Sequence, residues 1–174
     1  MIAQATSNLS LRPMLPTDVP QLAEIFRASV EELAAEDYSE SQREAWASVV
    51  DDEDGFAKKL RGQLTLIAAL SGDPVGFISL AGTDKLDMLY VHPLAAGQGV
   101  GAMLADAVER LAAGRGAAKL KVDASDNALG FFEKRGYVAQ QRSTIVRAGE
   151  WLANTSLEKQ LAAQGPAQAK GNPQ

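Results

Sequence analysis

The amino-acid sequence predicts one α/β domain of the α+β type, with about six or seven strands. Apolar residues recur at helical spacing after residue 18 and again after residue 100, and apolar runs of strand length lie between these segments. Turn-forming residues separate the runs. The 174 residues are the usual size of one domain. We expect the domain over residues 1–160 and a mobile tail over residues 161–174, where Gln, Ala, Gly and Pro follow no periodicity.

The first quarter of the chain predicts a strand followed by two helices. Residues 9–14 have the composition of a short strand. Thr17 or Asp18 can cap the first helix, whose apolar residues then repeat at helical spacing. Ser39 and Gln42 form a capping-box pattern, which predicts the start of the second helix.

The middle of the chain predicts a short helix and three strands. Residues 56–60 are helical in pattern, and the runs 63–70 and 74–80 predict an antiparallel hairpin around the turn formers of residues 71–74. A further strand is expected over residues 86–91, directly before His92 and Pro93.

The last part predicts a helix, a strand, a helix and a hairpin. The helix after residue 100 has strong apolar periodicity and ends at Gly114 and Gly116. Residues 118–123 then predict a strand, and residues 127–137 a helix that stops at a glycine. Two closing strands are expected around a turn at residues 148–150.

Composition excludes several kinds of function. The chain carries a formal net charge of −5, so it lacks the basic surface that nucleic acid requires. It has no cysteine and only one histidine, His92, which excludes disulfides, a cysteine nucleophile and any metal site built from thiolates or several histidines. No run approaches the roughly 20 apolar residues of a membrane span. We therefore expect a cytoplasmic protein with no metal, no nucleic-acid partner and no membrane partner.

A glycine-rich turn before the fourth helix predicts a phosphate site. Gly97, Gly99 and Ala102 fit the pattern GxGxxA, and the first amides of a helix have no partner within it. Asp123 stands at the end of the next strand, where a dinucleotide-binding fold has its ribose-binding acid. Two features argue against a dinucleotide-binding oxidoreductase. Residues 92–96 separate the strand from the glycines, and a hairpin precedes the turn where that fold has a βαβ unit.

Three stretches of the sequence resemble the GNAT superfamily of N-acetyltransferases. These are RPMLPTDVPQLAEIF, LDMLYVHPLAAGQGVGAML and ALGFFEKRGY, of which the second is the most specific because it resembles the strand and loop that hold acetyl-CoA. Together with DASDNALGFFEKRGY, the stretch SVEELAAEDYSESQREAW is similar to the YafP-like branch. The resemblance covers about residues 9–160 and implies a mainly antiparallel sheet with helices on both faces and a splayed strand pair around acetyl-CoA.

The resemblance implies an activity and a donor. An acetyl group would pass from acetyl-CoA to a primary amine of a small molecule or peptide by direct attack of the amine on the thioester. A non-catalytic module that binds acyl-CoA for regulation is the alternative. The identity of the amine, the length of the acyl chain and the assembly state stay open, with a homodimer as one option.

The resemblance also implies which residues contact acetyl-CoA. They are Leu89, Tyr90, Val91, Ala96, Gly97, Gln98, Gly99, Val100, Gly101, Ala102, Ser125 and Phe132. Three of these depart from the family pattern. Ala96 stands where Arg or Gln is common, Ser125 stands where Asn is frequent, and Phe132 stands where many members have a tyrosine that protonates the departing thiolate.

Asp87 is the candidate base, and Tyr38, Trp46 and Glu31 are the candidate acceptor-binding residues. Strand alternation places Asp87 and Tyr90 on opposite faces, so only one of them should line the acceptor cleft unless a bulge intervenes. Ten acidic residues crowd residues 31–54, and as a rim of the acceptor site they would favour a cationic amine.

Overall fold

A seven-stranded, mostly antiparallel sheet is the centre of the fold. The computed structural model describes residues 8–162, so the predicted tail lies outside the described residues from residue 163 onward. The strands are β1 (Leu9–Pro13), β2 (Leu64–Leu70), β3 (Asp73–Ala81), β4 (Lys85–Val91), β5 (Lys119–Ser125), β6 (Val138–Arg147) and β7 (Glu150–Gln160). Their order is β1-β2-β3-β4-β5-β7-β6, and only β4 and β5 run parallel. This confirms the predicted fold class and does not match the parallel sheet of a dinucleotide fold.

Within residues 8–162, five α-helices cover the two faces of the sheet, as expected. They are α1 (Val19–Leu33), α2 (Glu40–Ala47), α3 (Glu53–Arg61), α4 (Val100–Gly114) and α5 (Asp126–Lys134). One buried cluster joins α1 and α3 to Ile67, Phe77 and Met88 of the sheet. A second cluster on the opposite face joins α4 and α5 to strands that include β2, β3 and β5. No helix within residues 8–162 is long and apolar enough to cross a membrane.

Two predicted helix caps have different outcomes. The capping box at α2 is confirmed, because the Gln42 N–H donates to Ser39 Oγ at 3.2 Å and the Ser39 N–H donates to Gln42 Oε1 at 2.9 Å. Of the two candidate caps of α1, Thr17 and Asp18, Asp18 is the residue at the N-cap position, but its side chain makes no capping hydrogen bond to the helix. Its carboxylate accepts from the Leu15 N–H at 2.7 Å and pairs with Arg12 at 2.7 Å, so it fixes the 3₁₀ turn before the helix.

Strands β4 and β5 separate soon after they begin, which opens the middle of the sheet. Lys85 and Leu86 are in register with Lys121 and Val122, and the pairing ends there. The rest of β4 is paired only with β3. The splayed strand pair implied by the resemblance is therefore present, and beyond Leu86 one edge of β4 has no neighbouring strand among the described residues.

A β-bulge lies at the point where the two strands separate. Met88 is paired with Ser79, and Leu86 with Leu80, so Asp87 is the extra residue of β4. An extra residue breaks the alternation of side chains between the two faces. Accordingly Leu86 packs in the α4 cluster, while Met88, two positions on, packs in the α1 cluster.

Candidate active site

Two cavities meet where β4 leaves β5. The narrow cavity, about 90 Å³, lies in the gap between these strands and reaches Leu89, Ala124 and Phe132. The larger cavity, about 310 Å³, lies on the α1 side of the sheet and extends to Arg147 near the end of the β6–β7 hairpin. Five residues line both cavities: Trp46, Asp87, Tyr90, Asp123 and Ser125. The two cavities are therefore adjacent, and molecules bound in them would contact the same residues.

The bulge brings Asp87 and Tyr90 to the same site. Simple alternation predicts that they face opposite sides of the sheet, but both line both cavities. The Tyr90 ring packs 4.3 Å from the Phe26 ring and 5.7 Å from the Phe77 ring, measured between centroids. The β-bulge that would allow both Asp87 and Tyr90 to line the acceptor cleft is therefore present in β4.

Asp87 keeps one carboxylate oxygen free for a ligand. Its Oδ2 accepts from Gln63 Nε2 at 3.0 Å and pairs with Lys59 Nζ at 3.3 Å. Within residues 8–162, Oδ1 has no hydrogen-bond partner. The side chain is 20% exposed, so it is held in place and is still accessible from the cavities.

Asp123, the other carboxylate of the site, is fully engaged. Its Oδ2 accepts from Lys85 Nζ at 2.9 Å, and its Oδ1 accepts from Ser156 Oγ at 2.8 Å. Burial alone would raise the pKa of Asp123, but these two hydrogen bonds outweigh it and hold the pKa below its usual value. Asp123 is therefore a weak proton acceptor.

The open edge of β4 presents main-chain groups to the gap. In an antiparallel pair, successive residues direct their N–H and C=O groups to alternate sides of the strand. The His92 N–H donates to the Val75 carbonyl of β3 at 2.8 Å, so the groups of Tyr90 also face β3. Those of Leu89 and Val91 therefore face the gap, as the prediction of amide binding by these two residues requires.

The glycine turn is open to solvent and its backbone needs glycine. Gly97 and Gly99 have φ values of +76° and +81°, and no atom of residues 8–162 outside the adjacent chain lies within 4 Å of the position that a Cβ would take on either. Gly99 is the residue before α4, and the first helical bond runs from the Met103 N–H to its carbonyl at 3.0 Å. The amides of Val100, Gly101 and Ala102 are thus free within the helix, where the dipole favours an anion.

The other residues of the turn can offer a ligand their main-chain groups more readily than their side chains. Ala96 and Gln98 are exposed, and Gln98 Nε2 donates back to the Leu94 carbonyl at 3.1 Å. His92 is a local cap, because its Nδ1 accepts from the Leu94 N–H at 3.2 Å. A phosphate at this turn would be held by backbone amides and not by a basic side chain of the turn itself.

Ser125 lies directly before α5, and Phe132 lies in the last turn of α5, where it packs in the hydrophobic core. Phe132 is buried and also lines the narrow cavity. Tyr137 packs 5.1 Å from the Phe132 ring in the core and donates its hydroxyl to Glu109 at 3.1 Å, so it does not replace the missing tyrosine. Ser125 lines both cavities, and its hydroxyl forms no hydrogen bond with the described part of the chain.

The three candidate acceptor residues have different positions. Trp46 is half-buried and lines both cavities. Tyr38 lines the larger cavity with its ring 5.4 Å from the Trp46 ring, but its hydroxyl is occupied by main chain. Glu31 is exposed on α1 and lines neither cavity.

Tyr38 fixes the geometry of the site. Its hydroxyl donates to the Ala153 carbonyl at 2.6 Å and accepts from the Asp126 N–H at 2.8 Å, which caps the first turn of α5. Burial raises the pKa of Tyr38, so the hydroxyl stays protonated and keeps both bonds. Tyr38 thereby joins the segment between α1 and α2 to α5 and β7.

We expect Tyr38→Phe to lower the free energy of unfolding by about 1–3 kcal/mol, because two partly buried main-chain groups lose their partner. Urea denaturation of both proteins measures the difference. Tyr137→Phe, which removes one hydroxyl hydrogen bond outside both cavities, is the control for the general cost of losing a tyrosine hydroxyl. An unchanged denaturation midpoint for Tyr38→Phe would show that the hydroxyl does not support the site.

The charges of the larger cavity differ from those expected. None of the ten acids of residues 31–54 lines either cavity, and all ten are exposed. Three cations, which the sequence analysis did not identify, line the larger cavity with the two aspartates: Lys59, Lys85 and Arg147. They come from α3, β4 and β6, so no local pattern could have brought them together.

Comparisons with known proteins agree with this architecture. Residues 34–159 match the family model described as an acetyltransferase (GNAT) domain. The N-acetyltransferase YafP of Escherichia coli (strain K12) is 32% identical over 148 residues, which are 85% of this chain and 93% of that protein. A crystal structure of a GCN5-related N-acetyltransferase from Rhodopseudomonas palustris is 61% identical with a TM-score of 0.87, and covers 89% of this chain and 97% of its own.

A more distant structure shares the fold. PaiA N-acetyltransferase from Thermoplasma acidophilum, solved in complex with coenzyme A, is 20% identical with a TM-score of 0.72, and covers 87% of this chain and 98% of its own. The family model matches most of the chain, and the YafP relative has a similar length. Both agree with the splayed strands, the open glycine turn and the order of elements. The protein therefore belongs to the GNAT family, in its YafP-like branch, and is an N-acetyltransferase.

Proposed function

We propose that the protein transfers the acetyl group of acetyl-CoA to a primary amine by direct attack of the amine on the thioester. The observation that carries this proposal is the junction of the two cavities. The narrow cavity leads from the open edge of β4, and the larger one provides room for a second molecule. Direct transfer needs the donor and acceptor side by side, and Asp87, Tyr90 and Ser125 line both spaces.

The donor side of the site fits acetyl-CoA. Free amides of Val100, Gly101 and Ala102 at the start of α4 would hold the pyrophosphate. Main-chain groups of Leu89 and Val91 at the open edge would pair with the pantetheine amides, as strand edges do with extended ligands. The coenzyme A complex of the Thermoplasma acidophilum relative supports the same donor.

Asp87 is the residue that we assign to accept the proton of the amine. An amine must be neutral to attack, so its ammonium proton has to leave directly or through a water. Asp87 has a free Oδ1 at the meeting point of the cavities, whereas both oxygens of Asp123 are engaged. The ion pair with Lys59 and the bond from Gln63 hold Asp87 in place for this role.

The departing thiolate leaves without a tyrosine in the usual position. Phe132 has no proton to give. Burial strongly raises the pKa of Tyr90, so its phenol is a poor acid, and the Tyr38 hydroxyl already donates to a carbonyl. A thiolate whose conjugate thiol has a pKa of about 8.5 is a good leaving group by itself, so a water suffices to protonate it.

Acetyl-CoA, unlike NADH, should stabilise the protein. At 100 times its dissociation constant, a ligand adds about 2.7 kcal/mol to the free energy of unfolding, which thermal-shift measurements detect. Release of free thiol from acetyl-CoA with a panel of amines then tests turnover. Thermal stabilisation without thiol release from any amine would favour the regulatory-module alternative, and stabilisation by NADH alone would contradict the proposed donor.

A further inference from the structure

The larger cavity contains one more cation than carboxylates. Lys59 Nζ pairs with Asp87 Oδ2 at 3.3 Å, and Lys85 Nζ pairs with Asp123 Oδ2 at 2.9 Å. Each cavity aspartate thus has its own lysine. Arg147 is the remaining charged side chain of the lining.

Arg147 has no carboxylate partner within residues 8–162. It is the last residue of β6 and directly precedes the turn at Ala148 and Gly149. The exposed acids of residues 31–54 do not line the cavity, so they do not supply its counter-charge there. Arg147 is an exposed residue that lines the cavity, and its guanidinium adds a positive charge, unpaired within residues 8–162, to this concave and partly apolar space.

The position of Arg147 does not suit the phosphates of the donor. Arg147 lines the larger cavity and not the narrow cavity between β4 and β5. The predicted pyrophosphate site is the glycine turn at the start of α4, which does not contribute to the larger cavity. The charge of Arg147 is thus available to the acceptor.

Neutral polar groups accompany Arg147 in this cavity. Ser125 and Asn154 line it, and their side chains form no hydrogen bond within the described range. A guanidinium offers two parallel N–H groups that match the two oxygens of a carboxylate or phosphate. Hydroxyl and amide groups nearby can bind the remaining oxygens.

We infer, given the proposed acetyl transfer, that the acceptor is a small amine that also carries an anionic group, a carboxylate or a phosphate. Its anionic group binds Arg147 while its amine faces Asp87. Both residues line the same cavity, so one molecule can reach both. A volume of about 310 Å³ suits a small molecule. The acids of the expected rim, which would favour a cationic amine, do not line this cavity.

A panel of matched acceptors tests the inference. It contains ω-amino acids of increasing length from glycine to ε-aminocaproate, their primary amides, aminoalkyl phosphates, simple alkylamines and diamines. The amides remove the negative charge at almost constant size. We expect kcat/KM from thiol release to be highest for one length of amino acid or aminoalkyl phosphate, and the better of these two series identifies the anion.

Variants of Arg147 test whether this residue causes the preference for anionic acceptors. Arg147→Gln should lower kcat/KM for the anionic acceptor by roughly 10- to 100-fold, the effect of losing a hydrogen bond to a charged group, and should leave the matching amide unaffected. Arg147→Lys should recover part of the loss, and Arg147→Glu should turn the preference toward diamines. Arg115→Gln is the control, because Arg115 is exposed after α4 and lines neither cavity.

The outcomes separate this inference from the proposed function. Equal kcat/KM for amino acids and their amides in the parent enzyme would overturn the inference and leave acetyl transfer intact. A preference for anionic acceptors that survives Arg147→Glu would overturn the role of Arg147. A rise in the Kd for acetyl-CoA with Arg147→Gln would assign Arg147 to the donor. Thiol release from no acceptor, with acetyl-CoA bound, would contradict the proposed function itself.

Discussion

Asp87→Asn should lower kcat by about 10²- to 10⁴-fold, the usual effect of removing a general base. The substitution keeps the shape of the side chain and its place in the bulge of β4, but an amide cannot take the proton of the attacking amine. Asp87 does not contribute to the glycine turn, so the Kd for acetyl-CoA should stay nearly constant. Steady-state thiol release gives kcat, and the thermal shift with acetyl-CoA gives the affinity.

Asp123→Asn is the matched control for this prediction. Asp123 lines the same two cavities, but both of its oxygens are hydrogen-bonded and its pKa is held low. We expect its replacement to lower kcat far less than Asp87→Asn does. If Asp123→Asn has the larger effect on kcat, the two carboxylates exchange roles; if neither variant changes kcat, a bound water without carboxylate assistance removes the proton.

The helices and strands could be predicted from the sequence because their signals are local. The capping box at Ser39 and Gln42, the apolar repeat after Gly99 and the turn before Asp73 each depend on a few neighbouring residues. The order of the strands was accessible only through the resemblance. Strand pairing is non-local, so nothing within β5 indicates that it separates from β4 after two residues.

The acceptor site could be predicted only in part. Strand alternation failed at Asp87 because the bulge inserts one residue opposite Ser79 and Leu80, and no turn former marks it in the sequence. The acidic segment of residues 31–54 was expected to border the acceptor site, but its ten acidic side chains are exposed and line neither cavity. Arg147 is distant in sequence from Asp87 and reaches the cavity only through the hairpin of β6 and β7.

Most residues of the predicted donor site, by contrast, are close together in the sequence, with Ser125 and Phe132 as the exceptions. Leu89 to Ala102 form a continuous segment, in which a strand edge is followed by a turn and by the first amides of α4. Local patterns and the resemblance point to the same residues there. A substitution in the turn tests this part of the site without altering the chemistry around Asp87.

Gly99→Val should raise the Kd for acetyl-CoA by roughly 10- to 100-fold, equivalent to the loss of one hydrogen bond to a charged group. Gly99 has φ +81° with open space around it, so the new side chain would project into the region in front of the α4 amides, where the pyrophosphate is expected. Positive φ is also unfavourable for valine and should cost about 1–2 kcal/mol of stability. Calorimetric titration of acetyl-CoA gives the Kd, and urea denaturation gives the stability.

Gly72→Val separates the two effects of that substitution. Gly72 has φ +87° and nothing within 4 Å of its Cβ position, but it lies in the turn between β2 and β3 and lines neither cavity. Both variants should lose similar stability, because both force valine into the same region of φ. Only Gly99→Val should weaken acetyl-CoA binding. Equal Kd values for the two variants would place the pyrophosphate away from the start of α4, and the open edge of β4 alone would then have to bind the donor.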